Sequence, residues 1–491
     1  MSCMRVLAGV VVVVCAFAAP SAGQCPLGYA SPVTYQAGPN TVALACTDFD
    51  MDGALDLIVA NQSNSTVSAL RGQGDGTFAA AIHSPTGSLP NSVAIGDWNN
   101  DGFPDVATAN VGDNTVTTLL GNGAGQFGGL MTHLVGEGPS ACVSADLNND
   151  GSADLLVAHQ ASGSVAVLLG KGDGGFELPA YYAISEGGAD NMVTSDIDGD
   201  GFVDAVLAIA GGGGLASILL GDGKGGLGAP INVVTGGVPS SVAVGDVSGD
   251  GVPDIAVTAG GVPGVTLLLA NGGGGYLSPI QLGGGSARRS LVIADLNGDG
   301  KNDILAAGGN GASSFMGNGD GTFRFGSSLV GGTNLTRIGV GDFNGDAKPD
   351  FATGDLNTSN VLVRIATGLS AAITAQPVSQ TVLEGGVSNL AVSATGAVSY
   401  RWRMNGAPLV NGGAYSGVGT SMLTVSGAGA AQEGVYDVQI GASCGAGIVS
   451  RAVELIVLSA PICPTDVNND GFTNFADLNL VVNSFNFECP R

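Results

Sequence analysis

The chain has 491 residues, with 41 Asp or Glu against 15 Lys or Arg and a formal charge of −26. So few cations cannot neutralise a phosphate backbone, which excludes a nucleic-acid partner. The three His and eight Cys show no zinc-ligand spacing.

The N-terminal stretch MSCMRVLAGVVVVVCAFAAPSAG sets one basic residue, Arg5, before an apolar run and then small residues. That is the pattern of a secretory signal peptide over residues 1–23. No later stretch reaches about 18 uninterrupted apolar residues, so no membrane span is expected. The expected location is secreted, extracellular or at the cell surface.

At Asp48 the sequence reads DFDMDGALD, with carboxylates at positions one, three, five and nine and Gly at six. Crowded carboxylates repel unless a cation sits between them. Alternating oxygen ligands around a sharp glycine turn are how a short loop wraps calcium. The pattern recurs at Asp97, Asp146, Asp196, Asp246, Asp295 and Asp342, at intervals of 49, 49, 50, 50, 49 and 47 residues. A fixed period of this length marks a repeat architecture. The expected ligands are Asp48, Asp50, Asp52 and Asp56 in loop one, then Asp97, Asn99, Asp101 and Asp105 in loop two. Loop three offers Asp146, Asn148, Asp150 and Asp154; loop four offers Asp196, Asp198, Asp200 and Asp204. Loop five has Asp246, Ser248, Asp250 and Asp254, loop six Asp295, Asn297, Asp299 and Asp303, and loop seven Asp342, Asn344, Asp346 and Asp350. Ser248 at position three and Ala347 at the glycine position are expected to weaken loops five and seven. Counting one further loop near the C-terminus, 26 of the 41 acids lie in such loops. The remaining 15 balance the Lys and Arg, so the net charge resides on candidate metal ligands.

Each repeat places an apolar run before its acidic loop and another after it. A third run leads into a Gly-rich turn such as GNGDGTF, and a fourth, more polar run follows. Short β-rich runs between Gly, Asn and Asp turns read as strands. Four strands in about 50 residues make a propeller blade, and seven repeats make a seven-bladed ring. The seventh repeat stops at NVLVRIATG without a fourth strand. YASPVTYQAG aligns with FAAAIHSPTG, setting Tyr29 opposite Phe78, so residues 29–37 are expected to complete the last blade and remove two open edges.

These loops and turns resemble FG-GAP/VCBS repeats, found in integrin alpha-subunit propellers and many secreted bacterial proteins. The resemblance covers residues 25–370 and implies a calcium-binding propeller with up to seven ions. It does not fix function, because such propellers include adhesins, lectins and some polysaccharide-degrading enzymes.

Residues 371–459 lose the period. Trp402 in SYRWRMNG and Tyr436 in QEGVYDVQI resemble strand C and the tyrosine corner of an immunoglobulin-like sandwich, and both are expected in its core. Val438 stands where the core cysteine would be, so that disulfide is absent. Residues 460–491 carry Asp466, Asn468, Asp470, Asn474 and Asp477 at EF-hand spacing, with the Phe472 carbonyl as a further ligand to one calcium. A short helix follows. This resembles half of a dockerin; with one unit where dockerins use two, docking to a cohesin is not expected. Cys463 and Cys489 bracket the unit and are expected to pair. The fold class expected is all-β: a seven-bladed β-propeller, an immunoglobulin-like sandwich and a small helical calcium-loop module.

Cys46 and Cys142 read as small buried hydrophobes on inner strands. His83, His133 and His159 lie in different repeats, and no GxSxG or HExxH motif occurs. The leading expectation is an extracellular interaction or adhesion module whose partner is a glycan or surface protein. The alternatives are a propeller polysaccharide lyase or hydrolase and a cell-surface structural protein. Loops leading into first strands are mostly small and neutral, but repeat six has ARRS and repeat seven NLTR. Arg288, Arg289 and Arg337 are therefore expected to gather by a central channel, with Asn61, Asn110 and His159 on the same face, as a site for an acidic glycan or carboxylate.

Overall fold

The computed structural model describes residues 28–184, 187–211, 213–260, 262–283, 289–367, 372–395, 397–442 and 448–458. The expected signal peptide, the dockerin-like module with Cys463 and Cys489, and Arg288 all lie outside the described residues. The chain divides into two compact units between Leu369 and Ser370. Among the described residues there is no α-helix, and one 3-10 turn spans Gln62–Asn64.

The first unit consists of four-stranded antiparallel sheets resembling propeller blades. Sheet one runs Thr41–Thr47, Asp56–Asn61, Thr66–Leu70 and Ile82–Pro85, in spatial as in chain order. Sheets two to six repeat this order, with first strands Pro90–Gly96, Pro139–Ala145, Ala189–Ser195, Val238–Gly245 and Ser290–Ala294. Sheet seven takes Leu335–Gly341, Asp350–Asp355 and Asn360–Arg364 from the end of the unit. Its fourth strand, Val33–Gln36, comes from the other end of the unit, with Val33 opposite Val363 and Gln36 opposite Asn360. Just before it, Tyr29 bridges Ala366 as Phe78 bridges Gly72 in sheet one, and its ring meets Phe351 edge-on at 4.8 Å.

Burial explains the sequence pattern. All six residues of Asp56–Asn61 and of its counterparts Asp105–Asn110 and Asp154–His159 are buried, because sheets cover them on both faces. Such strands read as continuous apolar runs rather than alternating ones. Fourth strands alternate, leaving Ile82, Leu134, Val234 and Phe325 exposed at the outer edge. Apolar clusters join sheet one to two, two to three, and so on to six and seven. A further cluster, with Leu44, Leu57 and Phe78 against Phe343, Ala352 and Val363, joins sheet seven to sheet one.

In the second unit Gln380–Leu383 pairs in parallel with Val453–Leu458, which continues through Gly434–Ala442 to Ala397–Met404. A second sheet holds Val387–Ala391, Met422–Ser426 and Tyr415–Ser416. Trp402 and Tyr436 are fully buried in the shared core. The Trp402 Nε1–H donates to Thr420 O at 2.9 Å, and the Tyr436 hydroxyl to Gln432 O at 2.7 Å, four residues upstream.

Removing Gly28–Gln36 should strip Asn360–Arg364 of its partner strand and Phe78 of the Tyr35 ring 5.4 Å away. The expected result is a lower melting temperature and concentration-dependent association by light scattering. A monomer that melts like the full chain would contradict this role.

Candidate metal centres

In each sheet the acidic loop joins the first strand to the second, so each loop's ninth-position Asp opens a second strand. The first Asp folds the loop onto itself: its Oδ2 accepts the sixth residue's N–H at 2.7–3.0 Å in all seven loops. The fifth Asp accepts the seventh residue's N–H at 2.8–3.0 Å. This winding requires a left-handed sixth residue, with φ between 80° and 90° at Gly53, Gly102, Gly151, Gly201, Gly251 and Gly300. Ala347 takes the same turn at φ 62°, a conformation disfavoured for a residue with a Cβ.

The ninth Asp has a second role that spacing does not reveal. Asp56, Asp105, Asp154, Asp204, Asp254, Asp303 and Asp350 are all fully buried. Oδ2 of each accepts the N–H of its own loop's second residue at 2.8–3.1 Å. Oδ1 accepts an N–H at the start of the Gly-rich turn in sheets one to six, Gly72 in sheet one, and from Ala366 after the third strand in sheet seven, at 2.7–2.8 Å throughout. The second residue's carbonyl then accepts from the next sheet's turn. Trp98 O receives Gly174 N–H, Leu147 O receives Gly225 N–H, Val247 O receives Gly321 N–H, and Phe343 O receives Gly76 N–H of sheet one. Each carboxylate thus ties loop to turn, and at these four junctions the loop also ties sheet to sheet.

Burial pushes these carboxyls up, to about 6 for Asp105, Asp154, Asp204 and Asp350, about 7 for Asp56 and about 8 for Asp303, while the backbone donors pull them down. Loop carboxylates nearby push in the same direction as burial. A cation in the loop would reverse that repulsion.

The donor set fits calcium. In loop one Asp48, Asp50 and Asp52, and in loop four Asp196, Asp198 and Asp204, each bring one oxygen within 4.8 Å of the others. Oxygens that all lie about 2.4 Å from one ion can stand no further apart than that. Asp50 is nearly enclosed: its side chain is 3% exposed, and its Oδ2 pairs with the Arg71 guanidinium. In loop five Ser248 turns its hydroxyl to Asp246 Oδ1 at 3.4 Å.

The residues expected to meet a ligand are not presented together. Asn61 and Asn110 are fully buried and donate to Thr66 and Ser68, and to Thr115 and Thr117, within their own sheets. His159 is also fully buried, its Nδ1 facing Ser164 O at 3.2 Å. All three side chains are closed off from solvent, with Asn61 Oδ1 and His159 Nε2 buried and without a hydrogen-bond partner among the described residues. Arg337 reaches from sheet seven to the Asp190 carbonyl of sheet four at 3.4 Å, so its guanidinium has an internal partner. Arg289 is exposed. Cys142 is buried and Cys46 partly so; both thiols are free and pushed up to about 12 by burial.

Sheets of four strands whose first connection is an acidic loop define a class of repeat protein, and sequence comparison agrees. The family described as FG-GAP-like repeat matches residues 48–108, 97–157, 146–207, 196–257 and 295–353, each match beginning on the first Asp of a loop. The FG-GAP repeat matches residues 238–278. The chain belongs to the FG-GAP-like repeat family, whose repeats are typical of extracellular, adhesion-like proteins. No curated protein matches it. Among solved structures, it is similar to a titin M10–obscurin-like 1 Ig complex at 20% identity and TM-score 0.17, over 19% of this chain and 99% of that one. Titin M4 gives 20% identity and TM-score 0.17 over the same shares. A protein of unknown function from Desulfotomaculum acetoxidans gives 13% identity and TM-score 0.45, over 60% of this chain and 88% of that one. No helix among the described residues is long and apolar enough to cross a membrane.

Asp105→Ala should strand two buried N–H groups, of Trp98 and Gly121. Each costs about 1–3 kcal/mol, so the loss should exceed about 2 kcal/mol by urea denaturation even in chelator. A loss below about 0.5 kcal/mol, the size of an ordinary surface change, would contradict the bracing role.

Proposed function

We propose that the first unit is a closed seven-bladed propeller whose acidic loops hold calcium. The second unit is then an immunoglobulin-like sandwich, and the secreted whole acts as an extracellular interaction or adhesion module for a glycan or surface protein. The observation that carries this reading is the repetition of one acidic loop at one connection in every sheet, with one oxygen from each of Asp48, Asp50 and Asp52 lying within 4.8 Å of the others in the first. The apolar cluster between sheets seven and one and the borrowed strand Val33–Gln36 support closure. Buried Trp402 and the Tyr436–Gln432 hydrogen bond support the sandwich.

Calcium would be held by the carboxylates and amides of positions one, three, five and nine, and would supply fixed positive charge where loop carboxylates converge. The protein's part is to wind each loop and anchor its ninth Asp. Rigid loops hold seven sheets in register and present the opposite face, where Arg289 is exposed, to an acidic glycan or surface carboxylate. The chemistry required is recognition without bond cleavage.

Ions that bind only the folded state stabilise it by RT ln(1 + [L]/Kd), about 2.7 kcal/mol per site at a hundredfold excess. Excess EGTA should therefore lower the melting temperature by many degrees, and restored calcium, but not magnesium, should recover it. The calcium-loaded chain should bind components of a glycan array without releasing products. An unchanged melting curve in EGTA would overturn the calcium reading, and cleavage products would overturn the binding one.

A further inference from the structure

The seven repeats act as internal controls for one another, and one position breaks the pattern. The residue immediately before the turn N–H that reaches the buried Asp is Leu120, Leu169, Leu220, Leu269, Met316 and Ile365 in sheets two to seven. In sheet one it is Arg71. The apolar residue has a packing role. Leu120 lies beneath Gly174, Leu169 beneath Gly225, Leu269 beneath Gly321 and Ile365 beneath Gly76, each against the next sheet's turn. At the corresponding Gly125 that space belongs to the Phe49 ring instead.

Arg71 turns the other way, into the acidic loop. Its Nε pairs with Asp50, and its Nη2 lies 3.0 Å from Asp52 Oδ2. Asp50 is the third-position ligand, which is Asp only in loops one and four; the other five loops carry Asn or Ser there. Loops one and four thus have the same four carboxylates, but loop four has Leu220 where loop one has Arg71. The Asp50 side chain is 3% exposed, while the Arg71 side chain that pairs with it is 54% exposed and can swing into solvent.

We propose that Arg71 is a built-in counter-ion of loop one, so that calcium enters this loop only by displacing the guanidinium. Loop one is then a cation-exchange site, weaker than loop four despite an identical carboxylate set, and calcium loading releases Arg71 at the junction of sheets one and two. A guanidinium satisfies carboxylates through directed hydrogen bonds and cannot share the space an ion needs between three oxygens. This inference rests on the calcium reading of the acidic loops.

The test uses the full chain and calcium itself. Equilibrium dialysis against buffered calcium should show one site per chain moving to at least tenfold lower free calcium in Arg71→Leu and in Arg71→Gln, the first restoring the residue type of the other sheets. Binding curves superimposable on wild type overturn the proposal. If either variant fails to fold, phenylglyoxal labelling of the unmodified chain, read by peptide mass spectrometry, decides instead. Labelling of Arg71 should rise severalfold on adding calcium, and equal labelling overturns the proposal. A chain that binds no calcium at any loop overturns the preceding reading as well. Calcium bound elsewhere, with Arg71 variants unchanged, overturns only this one.

Discussion

Everything in the first unit depends on a buried carboxylate that accepts two backbone N–H groups. An ionised Asp removed from water is costly, and its position is tolerable only when donors or cations surround it. Here one donor comes from the acidic loop and the other from the Gly-rich turn, some 14 to 17 residues further along the chain. The same carboxylate therefore fixes the spacing of second and third strands at their shared end. Seven copies set seven loops in one winding. Because the second loop residue also passes its carbonyl to the next sheet in four of the described junctions, local order and sheet-to-sheet order are one network.

That network explains why the loops hold so many acids. Burial and carboxylate repulsion raise the ninth Asp, and the first, third and fifth positions gather more negative charge beside it. An all-oxygen cluster with hard donors is suited to calcium, and an exported chain would meet it in supply. Loop one meets the same electrostatic demand differently, by turning Arg71 inward. The contrast between loops one and four is informative because both have four carboxylates and the same first-to-sixth hydrogen bond, while Arg71 stands where loop four has Leu220.

Much of the architecture was legible in the sequence. Periods near 50 residues, apolar runs on both sides of each loop and a last repeat lacking its fourth strand all follow from local chain chemistry. The alignment of Tyr29 with Phe78 is legible because both residues fill the same aromatic position. The partners of particular side chains were not. Asn61, Asn110 and His159 look like loop-proximal polar residues, yet they close second strands whose every residue is buried. Arg337 looks free until Asp190, 147 residues earlier, is brought beside it. Spacing marks the ninth Asp as a ligand but cannot show that it also braces the turn, because the turn's N–H is located only by the hairpin. Arg71 passes for an ordinary polar loop residue until the hairpin sets its guanidinium beside Asp50.

The central claim is that the acidic loops are ion sites built on braced carboxylates. Native mass spectrometry of the full chain, stripped of metal and then titrated, tests it most directly. The account predicts a calcium-specific mass increase that saturates near one ion per acidic loop, with equal magnesium producing little. No saturable increase, or one indifferent to which of the two cations is added, would contradict it.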